Sequence, residues 1–506
     1  MRRVLVLLLT FSMLIGLVTG CSKGGGGNGD KKAEGPKKDT LVVMGFQKAD
    51  TFDPLNTALN YKLEWHQLFD VLVEFDEKGE MVPALAESFE LTEDGKGYIF
   101  HLRDDVKFTD GTQFNADAVK FAVDMVRTSE LAKWMAAYIG EATVIDEYTV
   151  QINKAASHIK LLEFLSEFLY IVSPTAYQKD PEGFATNPVG SGPYKFKEIA
   201  ADGYTYMVAN EDYYKGAPYF KNLTIRTPLD PSTATVALQN GEIDVALMLP
   251  QDQIAVIKDN PKLNVIGSSG WSTKTVFLEG PNLMNDLNLR KAIYHAINRE
   301  NAIIFDNAPE GTKVAKNMFS ERMMGEHAGF MDIGGYDVEL AKEYLAKSDY
   351  DGRSLKITIT SDMANMAQAI QEDLKAIGIT TAINQLDSNA FWAAFADGSC
   401  DITITSWGCD YASLEEQMGF HAGRGYYGKI VYNTPEFDAL LDQCGQVWDE
   451  AERGKLTQEA LKMTYDFANM IPIYEDPLYN VYNAELKGVE DIWSATINLY
   501  LYKLKM

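Results

Sequence analysis

From Asp401 to Ser406 (DITITS) apolar and polar side chains alternate, and four of these six residues are β-branched, so the segment reads as a short strand. Two strands precede it, at Leu355–Thr360 and Ile379–Leu386. Between those two, Met363, Met366, Ile370, Leu374 and Ile377 recur at helical spacing, and Gly378 is placed to end the helix. A short helix over Phe391–Phe395, which carries Trp392, leads into the third strand. This β–α–β–α–β order predicts parallel strands with helical crossovers. Trp407, Gly408, Cys409, Asp410 and Tyr411 then fall at a carboxyl edge of the sheet, where open α/β folds bind ligands.

Nearer the amino end the pattern is richer in strands. Leu41–Phe46 is a strand ended by the turn Thr51-Phe52-Asp53-Pro54, and Glu64–Val73 has Trp65, Leu68, Phe69 and Leu72 at helical spacing. Val71–Phe75, Phe89–Leu91 and Tyr98–Leu102 are strands separated by turns at Glu77-Lys78-Gly79 and Asp94-Gly95. Asn115 is suited to cap a helix whose apolar face is Ala118, Ala122, Met125 and Val126, with Trp134 in the loop beyond. Thr143–Ile152 reads as a hairpin and Ile159–Phe168 as a helix. Asn187–Tyr194 (NPVGSGPY) is a crossover, and its glycines open no helix that would cradle a phosphate. Ile266–Trp271 is a second crossover, and Asp286–Glu300 one amphipathic helix through Leu289, Ile293, Ala296 and Ile297.

The first twenty residues are different in kind. Arg2 and Arg3 precede an almost wholly apolar run, Val4–Val18, which ends in Val18-Thr19-Gly20-Cys21. This is an export signal, too short for a comfortable membrane span, and its end resembles the lipobox at which a cysteine is acylated. Ser22–Asp39 (SKGGGGNGDKKAEGPKKD) has no large apolar residue and is expected to be a flexible tether reaching roughly 24 Å.

Composition narrows the function. A body this long exceeds one comfortable core, so two or three lobes are expected. The formal charge of −26 falls to −28 once Arg2 and Arg3 leave with the signal, which argues against nucleic acid. An acidic surface is also a plain route to solubility. Of four cysteines one is Cys21, leaving Cys400, Cys409 and Cys444, of which at most one pair can bond, with Cys400–Cys409 flanking the proposed site. The six histidines have no zinc-ligand spacing, and no nucleophile elbow, P-loop or dinucleotide fingerprint is present. Locally, Trp407 reads either as a recognition aromatic or as core, and Asp410 either as a fixed charge for a ligand or as the cap of the next helix.

Eight short segments occur in an order that resembles family 5 solute-binding proteins of bacterial ABC importers. They are Phe52-Asp53-Pro54, Pro83–Ser88, Tyr98–Lys107, Asp110-Gly111 with Phe114–Asp117, Pro188–Tyr194, Asn240–Asp244, Leu289–Glu300 and Trp407–Tyr411. The resemblance implies an α/β, periplasmic-binding-protein-like clamshell. Residues 1–20 are the signal peptide and 21–39 the lipidated cysteine and tether. Residues 40–66, 187–269 and 479–506 make lobe I, 67–186 an inserted β-rich subdomain, and 270–478 lobe II.

It also implies a non-enzymatic protein without a cofactor, a membrane-anchored extracytoplasmic monomer that delivers peptides to a permease and its ATPase subunits. In peptide-binding members a carboxylate at the position matching Asp410 holds the peptide's α-amino group, with Trp407, Tyr411, Trp392 and Trp134 nearby. Nickel-type members imply the alternative, a metal-chelate binder with Trp134 and Trp407 flanking the ligand and His421 meeting the metal. An oligosaccharide site and an exported hydrolase are further alternatives, the latter without any nucleophile–base spacing. Departures from the family are visible. Ala412-Ser413-Leu414 replaces the usual Asp-Pro, Glu167–Val172 holds no arginine for a chelator's carboxylates, and Thr57–Asn60 holds no acidic residue.

If Cys21 is acylated, Cys21→Ser leaves the protein shed or retained as precursor. Equal recovery of mutant and wild type in the detergent phase would refute the anchor.

Overall fold

In the computed structural model of the chain, residues 38–506 are described except for 46–48, 50, 58–61, 77–79, 202, 227–229, 280–282, 310–311, 321–323, 325–333, 409–412, 422–433 and 490–499. Cys21 and nearly all of the tether lie outside the described residues. The amino-terminal strands are β1 (Thr40–Met44), β2 (Val73–Phe75), β3 (Met81–Pro83), β4 (Ala86–Leu91) and β5 (Gly97–Leu102). Next come β6 (Ile139–Asp146), β7 (Thr149–Lys154), β8 (Tyr194–Ile199), β9 (Thr205–Ala209), β10 (Asn222–Arg226) and β11 (Val245–Ala246). The last are β12 (Leu263–Leu278), β13 (Leu355–Ile359), β14 (Thr381–Gln385), β15 (Ile402–Trp407) and β16 (Met470–Asn483).

One ten-stranded sheet runs β14-β13-β15-β12-β16-β11-β1-β10-β9-β8. Its β13, β14 and β15 are mutually parallel through β13, as the alternation of strands and helices requires. β12 and β16, of 16 and 14 residues, pair antiparallel from Leu263↔Asn483 to Phe277↔Met470 and carry the sheet from one lobe into the other. The expected crossover at Ile266–Trp271 therefore lies inside a strand. It shows as a register shift between Ser268 and Ser272, and a second shift follows Lys274, where Thr275 faces Pro472. Proline has no N–H to give a ladder, so it belongs at such a bulge. β4-β5-β7-β6 form a separate antiparallel sheet.

The segment expected as an inserted subdomain, 67–186, shares one core with the segments expected as lobe I. Phe100, Val119, Val123, Ile152 and Phe164 belong to the same buried cluster as Leu41, Phe52, Trp65, Leu223 and Leu501. Lobe II has two clusters. One unites Ile357, Ile359, Ile402 and Ile404 with Leu289, Ile293, Met366 and Ile370, and the other gathers Phe277, Phe395, Met418, Phe437 and Leu461.

The crossover at Gly190–Tyr194 shows why its glycines are needed. A Cβ on Gly192 would lie 2.5 Å from the backbone carbon of Leu68, and one on Gly190 would lie 2.3 Å from its carbonyl oxygen. Gly192 N–H donates to that oxygen at 3.1 Å. Beside it the buried Asp70 accepts from the Ser191 hydroxyl at 2.7 Å and the Tyr213 hydroxyl at 2.8 Å. Burial pushes the Asp70 acid up, opposed by Lys215 and by these two hydroxyls.

Asn240–Asp244 also has a physical reading. Gly241 ends the Pro231–Asn240 helix at φ 72°, and the Asp244 carboxylate then accepts the Val42 N–H at 2.9 Å. Its other oxygen takes the Lys38 ammonium at 2.5 Å, and the Asp39 carbonyl accepts from Asn222, so the tether stops short of its expected end. Two helices differ from expectation. Asp286–Glu300 is divided into Leu287–Ala296 and Arg299–Phe305, because Ile297 is extended and Asn298 caps the second. The helix expected over Glu64–Val73 is Lys62–Leu68, since Val73 already belongs to β2.

Gly192→Ala should cost roughly 1–3 kcal/mol or more in urea unfolding, because the methyl meets backbone rather than a movable side chain. Gly335→Ala, with nothing within 4 Å of its added carbon, is the control and should change stability by less than about 0.5 kcal/mol. Equal effects would overturn this account.

Candidate functional site

β15 delivers Trp407 to the sheet edge, with Thr273 of β12 as its cross-strand neighbour. Its indole stacks on Phe395 at 5.8 Å and 29°, meets Phe277 edge-on at 5.8 Å, and lies 6.4 Å from Trp392. The indole N–H donates to Gln417 Oε1 at 2.8 Å. Trp407 is only partly buried: it packs on the core and part of it is left accessible. Trp392 packs in the same cluster as part of the wall behind Trp407.

The helix after this strand end, Leu414–His421, starts with a reciprocal cap. Glu416 N–H donates to Ser413 Oγ at 3.2 Å, and Ser413 N–H donates to Glu416 Oε2 at 2.9 Å. This is the Ser-x-x-Glu capping box. The helix is capped by Ser413, so capping does not require Asp410. The Ser413–Glu416 spacing was readable in the sequence, whereas the local reading offered only Asp410. Asp410, Tyr411, Cys409 and the side chain of His421 lie outside the described residues. Cys400 and Cys444 are buried free thiols.

Across from this edge, Trp134 sits in a single 3-10 turn, Lys133–Ala137, in place of the expected loop. It meets Phe168 edge-on at 5.3 Å and Phe164 at 5.9 Å, while Tyr138 stacks on Phe164 at 4.3 Å and 10°. The buried Trp134 Nε1 has no partner among the described residues. Tyr138 lies close enough to the Glu416 carboxyl to favour its charged form. Trp134 and Trp407 belong to separate buried clusters. Tyr138, Ser413, Glu416 and Gln417 are the residues that sequence reasoning missed. Burial pushes the Glu416 acid up to about 7, against the opposing pull of the Ser413 N–H, Tyr138 and Lys160. Among the described residues no group of three or more His, Cys, Asp or Glu could hold a metal ion, and no helix is long and apolar enough to cross a membrane.

Residues 80–427 match the family described as bacterial extracellular solute-binding proteins, family 5 Middle. The chain is 26% identical over 476 residues to the nickel-binding periplasmic protein of Escherichia coli (strain K12), covering 86% of this chain and 89% of that one. It is 26% identical over 479 residues to the probable D,D-dipeptide-binding periplasmic protein DdpA of the same strain, covering 89% and 91%. Among solved structures it resembles NikZ from Campylobacter jejuni in complex with Ni(L-His), with a TM-score of 0.81, 21% identity, and coverage of 93% of this chain and 100% of that one. The fold is thus the two-lobed clamshell of this family.

The Trp407–Gln417 bond should return about 1 kcal/mol of coupling in a double-mutant cycle of Trp407→Phe and Gln417→Leu followed by urea unfolding. Additive effects would mean that the indole is held by packing alone.

Proposed function

The chain belongs to family 5 of the bacterial extracellular solute-binding proteins, and from that premise we propose that it captures peptides outside the membrane and delivers them to an ABC permease. It is a binding protein rather than an enzyme. The observation that carries the peptide reading is the Ser413–Glu416 capping box. With the helix cap supplied by Ser413, the carboxylate of Asp410 has a ligand role to fill: pairing with the α-ammonium of a bound peptide. Trp407, fixed by Gln417 and backed by Trp392 and Phe395, gives the adjoining side-chain pocket a rigid wall. The DdpA relative, whose name specifies a dipeptide, supports this reading.

Function follows from population shift. A peptide that touches both lobes binds the closed form better than the open one and pulls the equilibrium toward closure. An acylated Cys21 holds the body at the membrane, beside the permease.

A second reading, a metal chelate between Trp134 and Trp407 with His421 on the metal, is favoured by the nickel-binding relative. Against an anionic chelator, the segment that lacks arginine is filled by buried apolar and aromatic side chains, Phe168, Leu169 and Tyr170.

Calorimetry with a free and an N-acetylated peptide, on wild type and on Asp410→Asn, tests the proposal. Loss of a buried charge-assisted pair costs roughly 2–5 kcal/mol, or about 30- to several thousand-fold in affinity. Acetylation of the peptide and the substitution should therefore each abolish most binding, with the melting temperature unchanged. Binding of the free peptide to Asp410→Asn within about threefold of wild type would refute the role of Asp410. Heat with nickel and L-histidine but with no peptide would select the second reading.

A further inference from the structure

The Pro435–Gln446 helix is completed by a residue from far away in the chain. Its capping bond runs from the Val447 N–H to the Gln443 carbonyl at 3.1 Å, which leaves the carbonyls of Cys444 and Gly445 beyond the ladder. Ser157, 287 positions before Cys444 and 1% exposed, supplies donors to both. Its hydroxyl donates to the Cys444 carbonyl at 2.7 Å and its N–H to the Gly445 carbonyl at 3.1 Å. The fit is close: a Cβ on Gly445 would lie 3.4 Å from the His158 ring and 3.8 Å from the Ala156 Cβ.

Each partner is fixed to its own body. On one side the Ala155 N–H donates to the Tyr138 carbonyl at 3.1 Å, and Ile159 and Leu161 are buried in the core that holds Leu41 and Phe52. On the other side Phe437, Leu440 and Leu441 of the helix are buried in a different cluster, with Phe277 and Leu461. The Ser157 contact therefore ties together two cores that the β12–β16 ribbon also spans.

We propose that Ser157 and the end of the Pro435–Gln446 helix form a latch, made when the cleft is shut and broken when it opens, which holds part of the unliganded protein closed. The inference rests on the capture mechanism above and extends it. The tie suits a reversible role because it is short and neutral. Parting it gives one hydroxyl, one N–H and two carbonyls to water and strands no charge. Two such bonds bias the balance toward closure by roughly five- to 150-fold, enough to matter and small enough to undo. Ser157 is a positioning residue: it bonds the main chain of the protein rather than a ligand, so it scales the affinity for every ligand by one factor.

The test needs no ligand, so its failure is distinct from failure of the peptide reading. In the unliganded full-length protein, hydrogen exchange at the residue 157 amide reads the latch, and small-angle scattering reads the separation of the lobes. Ser157→Ala keeps the N–H and loses the hydroxyl. It should lower protection of that amide roughly three- to tenfold and raise the mean radius of gyration. Gly445→Leu sets a side chain against the His158 ring, and should abolish the protection and raise the radius further. Leucine is the better helix former, so the amides within the Pro435–Gln446 helix should stay protected in this variant. If Gly445→Leu does not fold, Ser157→Ala decides the matter by the same two readouts. A residue 157 amide that is unprotected in wild type, or that neither variant exposes, would overturn the latch. Loss of its protection with no change in scattering would also overturn it, since the contact would then be a local helix cap.

Discussion

Both lobes hang on the antiparallel pairing of β12 with β16. Each buried backbone N–H and C=O needs a partner, so two long strands paired through both lobes cannot part in their middle without stranding polar groups. The ladder is interrupted at two places, the shifts between Ser268 and Ser272 and between Lys274 and Thr275. The second shift is stiffened from lobe II. Lys274 pairs with Asp306 at 2.7 Å, and Tyr474 of β16 donates to the same carboxylate at 2.5 Å. The ribbon is thus continuous in its pairing apart from these two shifts.

Around that ribbon an acidic chain buries several carboxyl groups, and it does so by different means. Asp70 is surrounded by donors, with the Lys215–Glu74 pair close by at 2.5 Å. Glu279, just past β12, lies fully buried, and burial pushes its acid well above the ordinary range against the opposing pull of Thr403. Glu64 is lifted to about 8, almost wholly by burial. Its neutral form is the one the fold favours, so its contribution is fully present below about 4.5 and fades as the pH climbs toward 8. Glu416 differs from these in closing a capping box with Ser413 at the start of the Leu414–His421 helix.

The lobes are also asymmetric in how they are built. The inserted subdomain is fused to lobe I through one core, held by the approach of Gly190 and Gly192 to Leu68. Residues of the other lobe are joined to them by the ribbon and by the Ser157 hydrogen bonds to Cys444 and Gly445.

Much of this was legible in residues alone, where the physics is local. The period-two run at Asp401–Ser406, the helix from Ala364 to Ala376 ended by Gly378 at φ 95°, and the Asn115 cap all emerged as read, because strand alternation, helix spacing and capping act over a few residues. Other outcomes were decided by partners far off in the chain. Asn298 divides a helix whose apolar spacing runs on unbroken, and its N–H is held by Asp373. Ile266–Trp271 has the look of a break but is carried through as strand because β16 lies alongside. At the candidate site the sequence determined that an aromatic and a carboxylate follow a strand. Tertiary structure decided that Gln417 holds the indole, that Ser413 takes the cap, and that Tyr138 faces Glu416. Those choices join residues tens to hundreds of positions apart or select among neighbouring polar groups, and spacing along a chain carries no information about which of them will meet.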